Sequence, residues 1–96
     1  MVVVEGEVDM STSPQLRSHL TPLFKKGTSH VIVELSGVSY IDSSGIATLI
    51  EGLQLSRKHN IRFTLAGVQA SVDAVFELAY LKGVFEMVPR VEDCPG

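Results

Sequence analysis

The sequence predicts an α/β fold with a largely parallel β-sheet, and three observations carry that prediction. Short β-branched apolar runs alternate with longer segments whose apolar residues recur every three or four positions. The joints between them are brief and hold Gly, Pro, Ser, Asp or Asn where the chain must reverse. With 96 residues, 45% of them hydrophobic, the chain has material for one modest core, so residues 1–96 are read as a single domain.

The first apolar run, Met1–Val4, is too short for a helix and rich in Val, and predicts a buried strand that reaches about Val8. Ser11, Thr12 and Ser13 ahead of Pro14 predict a helix whose first N–H groups are capped by a hydroxyl. Leu16, Leu20, Leu23 and Phe24 form its apolar stripe. Pro22 predicts a kink or an early end, and Lys25, Lys26 and Gly27 supply a stop.

Dense Val31, Ile32, Val33 and Leu35 within His30–Leu35 predict a central strand covered on nearly both faces. Ser36 and Gly37 read as a break before Val38–Ile41. Asp42, Ser43, Ser44 and Gly45 then open a long helix, with Ile46, Leu49, Ile50 and Leu53 inward and Asn60 as its C-cap. Ile61–Ala66 predicts a second buried strand that ends at Gly67. Ser71 is expected to cap a third helix, with Val72, Val75, Phe76 and Ala79 inward and a stop at Lys82 and Gly83. Val84–Val88 reads as a last short strand, and the tail from Pro89 to Gly96 has little to bury and is expected to fray.

Composition excludes several function classes. The net charge is −3 with no run of Lys or Arg, which argues against a nucleic-acid groove. Cys94 stands alone, so neither a disulfide framework nor a cysteine metal site is expected, and a reducing, cytoplasmic setting fits. No stretch of about 18 apolar residues exists, and the start lacks the basic and apolar regions of a secretion signal, which argues against membrane insertion. His19, His30 and His59 fall in different elements, so no metal site is expected from them. No HExxH, Walker loop, GxSxG elbow or paired-Cys motif occurs, so a binding module without a cofactor is favoured over an enzyme.

One constellation stands out: Tyr40, Ile41, Asp42, Ser43, Ser44, Gly45. It places an acid and two hydroxyls where a strand enters a helix, whose free N–H groups and positive dipole end favour an acceptor or a phosphate on a serine. A plain helix cap explains the same residues, with Asp42 or Ser43 accepting from the backbone and Gly45 allowing a tight entry.

In its wider setting this loop resembles the STAS domain of the anti-sigma factor antagonist type. Glu5, Gly6, Glu7, Val8 and Asp9 are similar to the family's strand ending in Gly-Glu-Leu-Asp. Val31–Leu35 with Val38 and Tyr40–Ile46 resembles its central strand and signature loop. Leu65, Ala66, Gly67, Val72, Phe76, Leu78, Leu81 and Phe85 resemble its last helix and strand. The resemblance implies a partner switch. The unphosphorylated protein binds an anti-sigma factor that is also a serine kinase, phosphorylation of Ser43 releases it, and a phosphatase resets the cycle. Asp9, Met10, Tyr40, Asp42, Ser43, Ser44 and Gly45 are the residues expected to meet the partner.

Two departures accompany the resemblance: the family's extra N-terminal strand and final helix are absent or shortened. An unpaired edge strand would then permit a homodimer. The second functional class is a STAS regulatory subunit that docks on the ATPase of an ABC-type lipid or solute transporter. A third is a scaffold in a stress-signalling assembly. The two serines favour the kinase substrate, because transporter-type relatives often carry threonine or glycine at the signature serine.

Overall fold

A computed structural model describes residues 1–93. The elements alternate as expected: β1 (Val2–Val8), α1 (Ser13–Leu20), β2 (His30–Ile41), α2 (Ser43–His59), β3 (Arg62–Ala66), α3 (Ala70–Leu78) and β4 (Glu86–Val88). The four strands form one sheet in the order β1-β2-β3-β4, and every neighbouring pair is parallel. Right-handed crossovers that always advance in one direction place all three helices on one face. Their buried residues accordingly form a single cluster with Val31, Val33, Leu35, Ile61, Phe63 and Leu65. Phe24, Phe63, Phe85 and Phe76 run through it as a chain of tilted rings, 5.4–6.4 Å apart.

The largest departure from expectation is in β2, which runs unbroken through Ser36 and Gly37 for 12 residues. Leu35, Val38 and Ile41 are all buried although they are spaced by three, a spacing no flat strand can bury on one face. Register shifts against β1 resolve this: Val3 and Glu5 face Glu34 and Gly37, and Gly6 and Glu7 face Val38 and Tyr40. Each shift inserts one extra residue in β2, a β-bulge that turns the next apolar side chain inward. Nor is β2 covered on both faces. Val31, Val33 and Leu35 are buried, while Ile32 and Glu34 are only half-buried.

Helix boundaries follow tertiary contacts more than local caps. Thr12 makes no side-chain cap bond; Asp9 accepts instead from the N–H groups of Ser11 and Thr12. At the other end α1 stops at Leu20 and a 3-10 turn, Thr21–Leu23, absorbs Pro22. Asn60 takes the left-handed conformation that closes α2, as expected. Ser71 is not the cap of α3, which starts one residue earlier, at Ala70. That helix also ends at Leu78, before Lys82 and Gly83. Tyr80 adopts a φ of +60°, and the Leu81 and Tyr80 N–H groups close back on Phe76 and Glu77, which leaves Ala79 exposed. The last strand shrinks to three residues. Part of the expected frayed tail, Val91–Asp93, is a 3-10 turn, and Cys94–Gly96 lie outside the described residues.

The sheet face opposite the helices carries a polar chain across three strands. Arg62 holds Glu86 through both guanidinium contacts, Thr64 Oγ1 donates to Glu86 Oε1 at 2.7 Å, and His30 Nε2 lies 2.7 Å from Thr64 Oγ1. The Thr64 proton is committed to the carboxylate, so His30 Nε2 is the donor and the neutral tautomer is set. Hydrogen bonds from Arg62 and Thr64 lower the Glu86 pKa to about 2, and partial burial, with the Arg62 charge, lowers that of His30.

Both shifts favour the folded state at high pH. The Glu86 contribution is complete above its ordinary 4.5 and is lost as pH falls toward about 2, while the His30 contribution declines below about 6.5. Glu86→Gln should therefore lower stability at pH 7 by about 0.5 kcal/mol, the usual scale of an exposed pair. It should also flatten the acid limb below pH 4.5. Thermal melts followed by circular dichroism from pH 7 to 2.5 check both effects.

Candidate functional site

The site is built where β1 and β2 end. Above Glu34, β2 pairs only with β1, because β3 stops opposite that residue. The free side of this upper half is met by side chains instead: Gln69 Nε2 donates to the Ser36 carbonyl at 2.6 Å and Ser71 Oγ to the Ser39 carbonyl at 3.1 Å. At the tip the Asp42 N–H donates to the Val8 carbonyl, so the two strand ends are joined before α2 begins. Gly45 is buried directly beneath. A Cβ there would lie 2.6 Å from Ile41 Cγ1 and 2.7 Å from Val8 Cγ1, so only glycine lets the helix start this close to the sheet.

Asp42 is the cap. Its backbone is extended (φ −111°), and Oδ1 accepts from the N–H groups of Ser44 and Gly45 and from Ser44 Oγ at 2.5 Å. The two serines are thereby distinguished. Ser44 is half-buried and its hydroxyl is spent on Asp42. Ser43 is the first helical residue, is exposed, and its hydroxyl makes no hydrogen bond among the described residues. A hydroxyl at this position stands at the positive dipole end of a 17-residue helix, whose next N–H groups are already capped by Asp42.

The neighbouring turn from β1 into α1 adds a second carboxylate. Asp9 Oδ1 accepts from Ser11 Oγ at 2.7 Å and from the N–H groups of Ser11 and Thr12. Thr12 Oγ1 accepts from the Asp9 N–H and donates to the Glu7 carbonyl, which locks the turn. Hydrogen bonding to Ser11 lowers the Asp9 pKa, and hydrogen bonding to Ser44 lowers that of Asp42, although each acid is near enough for the Asp9 charge to oppose ionisation of Asp42. Both are therefore ionised at neutral pH. Met10 projects from the same turn, 79% exposed, and Tyr40, paired with Glu7 near the end of β1, is also exposed.

The structure thus gathers Asp9, Met10, Tyr40, Asp42, Ser43 and Ser44 around one rim, with Gly45 under it. Comparison with known proteins places the chain in a family. The STAS domain profile matches residues 1–94. The chain belongs to the STAS domain family. An anti-sigma-B factor antagonist of Staphylococcus aureus is 33% identical over 86 residues, which cover 90% of this chain and 80% of that protein. Among solved structures, the anti-sigma factor antagonist SpoIIAA in its unphosphorylated form superposes with a TM-score of 0.71 at 20% identity, over 95% of this chain and 79% of that one. A sulfate transporter family protein from Wolinella succinogenes superposes with a TM-score of 0.74 at 16% identity, over 96% and 83%. At those identities the two structures share the fold with this STAS chain.

One part of the STAS rim escaped the sequence reading. Beside Ser43, α2 and α3 leave an apolar cleft of about 340 Å³, lined by Ser43, Ile46, Ala47, Ile50, Val75, Leu78 and Ala79. Leu78 is 80% exposed on its edge. The sequence signal is weak: Ala47 and Ala79, which line it, are small residues with no motif of their own. Among the described residues no group of three or more His, Cys, Asp or Glu is placed to hold a metal, and no helix is long and apolar enough to cross a membrane.

Two substitutions test how this rim is built. Gly45→Ala should cost about 1–3 kcal/mol through overpacking against Val8 and Ile41. Asp42→Ala should cost about 1 kcal/mol through loss of the cap. Ser43→Ala, which removes no hydrogen bond, should leave the chemical-denaturation midpoint unchanged, and urea titration of the three variants separates these outcomes.

Proposed function

We propose that this STAS protein is an anti-sigma factor antagonist that works by phosphorylation-controlled partner switching. The observation that carries the reading is the pair of serines: Ser43 offers an exposed, uncommitted hydroxyl at the head of α2, whereas Ser44 is held by Asp42. A kinase would find only the first free to attack. Its phosphate would bring about −1.5 to −2 charges at neutral pH to a rim that already holds ionised Asp9 and Asp42. The helix N-terminus tolerates that charge locally, so the fold is retained while an acidic or apolar partner surface is repelled.

On this reading residues 1–96 act as one domain without catalytic activity of their own. The partner is an anti-sigma factor with serine kinase activity, a phosphatase restores the binding form, and the exchange takes place in the cytoplasm. Met10 and Tyr40, apolar and exposed on the rim, are the residues assigned to partner contact, because Met and aromatic side chains are enriched in interfaces.

The test is affinity for the cognate anti-sigma kinase, measured by calorimetry, together with mapping of the phosphate by mass spectrometry. Ser43→Ala should bind persistently and Ser43→Asp about tenfold or more weakly, the effect of placing like charges together. Equal affinities, or phosphate found on Ser44 alone, would sink the proposal. A lysate pull-down in which an ABC-type ATPase is retained by wild type and by Ser43→Asp alike would make the chain a transporter subunit instead.

A further inference from the structure

The apolar cleft beside Ser43 is preformed, because both helices that flank it are fixed. α2 is held at its head by the Asp42 cap and by the close approach at Gly45. α3 is tied at its start to β2 through Gln69 and Ser71, and its end is closed by the N–H groups of Tyr80 and Leu81. The floor of the cleft is Ile46, a member of the buried core, with Ile50 and Val75 half-buried against that core. Ser43, Ala47, Leu78 and Ala79 are exposed at its edges. A longer side chain in place of either alanine would enter the space.

The lining decides what the cleft can hold. Among the described residues none that lines it is ionisable, so an ionic guest would meet no counter-charge. Its one polar side chain is Ser43, at the edge, whereas a small-molecule site needs several convergent polar groups to orient its ligand. An apolar side chain projecting from another protein satisfies both conditions. A guest seated there lies against Ser43, so its binding depends on the state of that hydroxyl. On the proposed function, which is the premise here, the protein whose binding Ser43 controls is the anti-sigma kinase. We propose that the cleft takes an exposed apolar side chain of that kinase, such as Leu, Met or Phe, and that phosphorylation of Ser43 expels it by desolvation rather than by repulsion between like charges.

In the modification Ser43 Oγ bonds to the terminal phosphorus of a nucleoside triphosphate and the bond from that phosphorus to its bridging oxygen breaks. The diphosphate leaves with the electron pair, and the hydroxyl proton is released. The phosphoserine carries about −1.5 to −2 charges and needs water or cations around it. The protein supplies little in their place. The N–H groups of Ser44 and Gly45 already donate to the Asp42 side chain, and that of Ile46 donates to the Asp42 carbonyl. Among the described residues no Lys, Arg or His lines the cleft. An apolar side chain seated against the phosphate would strip away its water and return no contact for it. The unmodified hydroxyl is uncharged and carries no such penalty.

Calorimetry of the whole chain with the same anti-sigma kinase at about 0.05 M and about 0.5 M salt tests this, because salt screens repulsion between exposed charges and leaves desolvation in place. Ser43→Asp should bind about tenfold or more weakly at both concentrations. Ala47→Gln, which fills the cleft, and Leu78→Gln, which removes its apolar edge, should each weaken binding about tenfold with Ser43 unmodified. Both replace exposed residues, and circular dichroism melts establish that each variant is folded. In wild type the methyl NMR signals of Ile50, Val75 and Leu78 should shift when the kinase is added. Wild-type affinity in Ala47→Gln and Leu78→Gln, with Ser43→Asp still weakened, would overturn the cleft proposal and leave the partner switch standing. Equal affinity of wild type and Ser43→Asp would remove the partner switch and this proposal with it. A Ser43→Asp defect that vanishes at high salt would return the gate to like-charge repulsion, and methyl shifts that follow the chain's own concentration would give the cleft to a second copy; either result overturns the proposal.

Discussion

The missing side chain at Gly45 sets how closely α2 approaches the tips of β1 and β2, and the rest of the rim depends on that distance. Because Val8 and Ile41 occupy the space a Cβ would need, the helix begins immediately above the sheet instead of a turn away. Asp42 is then near enough to the Val8 carbonyl to join the strands and still cap the helix. The parallel pairing of β1 with β2 brings Asp9, in the β1–α1 turn, within electrostatic reach of Asp42. Strand register and the close approach at Gly45 together bring the ends of β1 and β2 and the head of α2, far apart in sequence, to one end of the sheet.

Much of this was legible in the chain, and the part that was not has physical causes. The order of strands and helices, the early end at Pro22 and the closing role of Asn60 follow from short-range chemistry that acts through one or two residues. The Asp-Ser-Ser-Gly run marked a helix entry for the same reason. It could not reveal which residue caps, since an acid and two hydroxyls compete for the same N–H groups and the winner is set by backbone angles. The unbroken course of β2 was hidden because Ser36 and Gly37 are ordinary turn residues, and only pairing with β1 turns them into a bulge. The end of α3 was hidden because Tyr80 occupies a left-handed position that glycine or asparagine usually fills. What compensates is burial of the residues around it: Phe76 is fully buried and Leu81 packs against the core.

The rim carries a net negative charge. Two ionised carboxylates stand against the positive end of a long helix, and each acid is held in its charged form by local hydroxyl and N–H donors. A site in this condition responds to a small change in charge without any rearrangement of its framework. On the proposed function, this is what would let a phosphate change the partner while the fold stays the same.

The unequal support of β2 gives the sheet a mechanical character. Its first three residues, His30–Ile32, are held by β3 alone, and only Val33 and Glu34 are gripped by backbone ladders on both sides. Its upper seven, Leu35–Ile41, have β1 as their one strand neighbour, with Gln69 and Ser71 as side-chain stays on the other edge. In engineering terms β2 is a beam clamped near its middle and braced along opposite sides of its two arms, with Asp42 just beyond the tip of the upper one. A load applied there passes into β1 and, through two side-chain hydrogen bonds, into the start of α3, so the edge strand and the third helix are the members that feel whatever binds at the end of the arm.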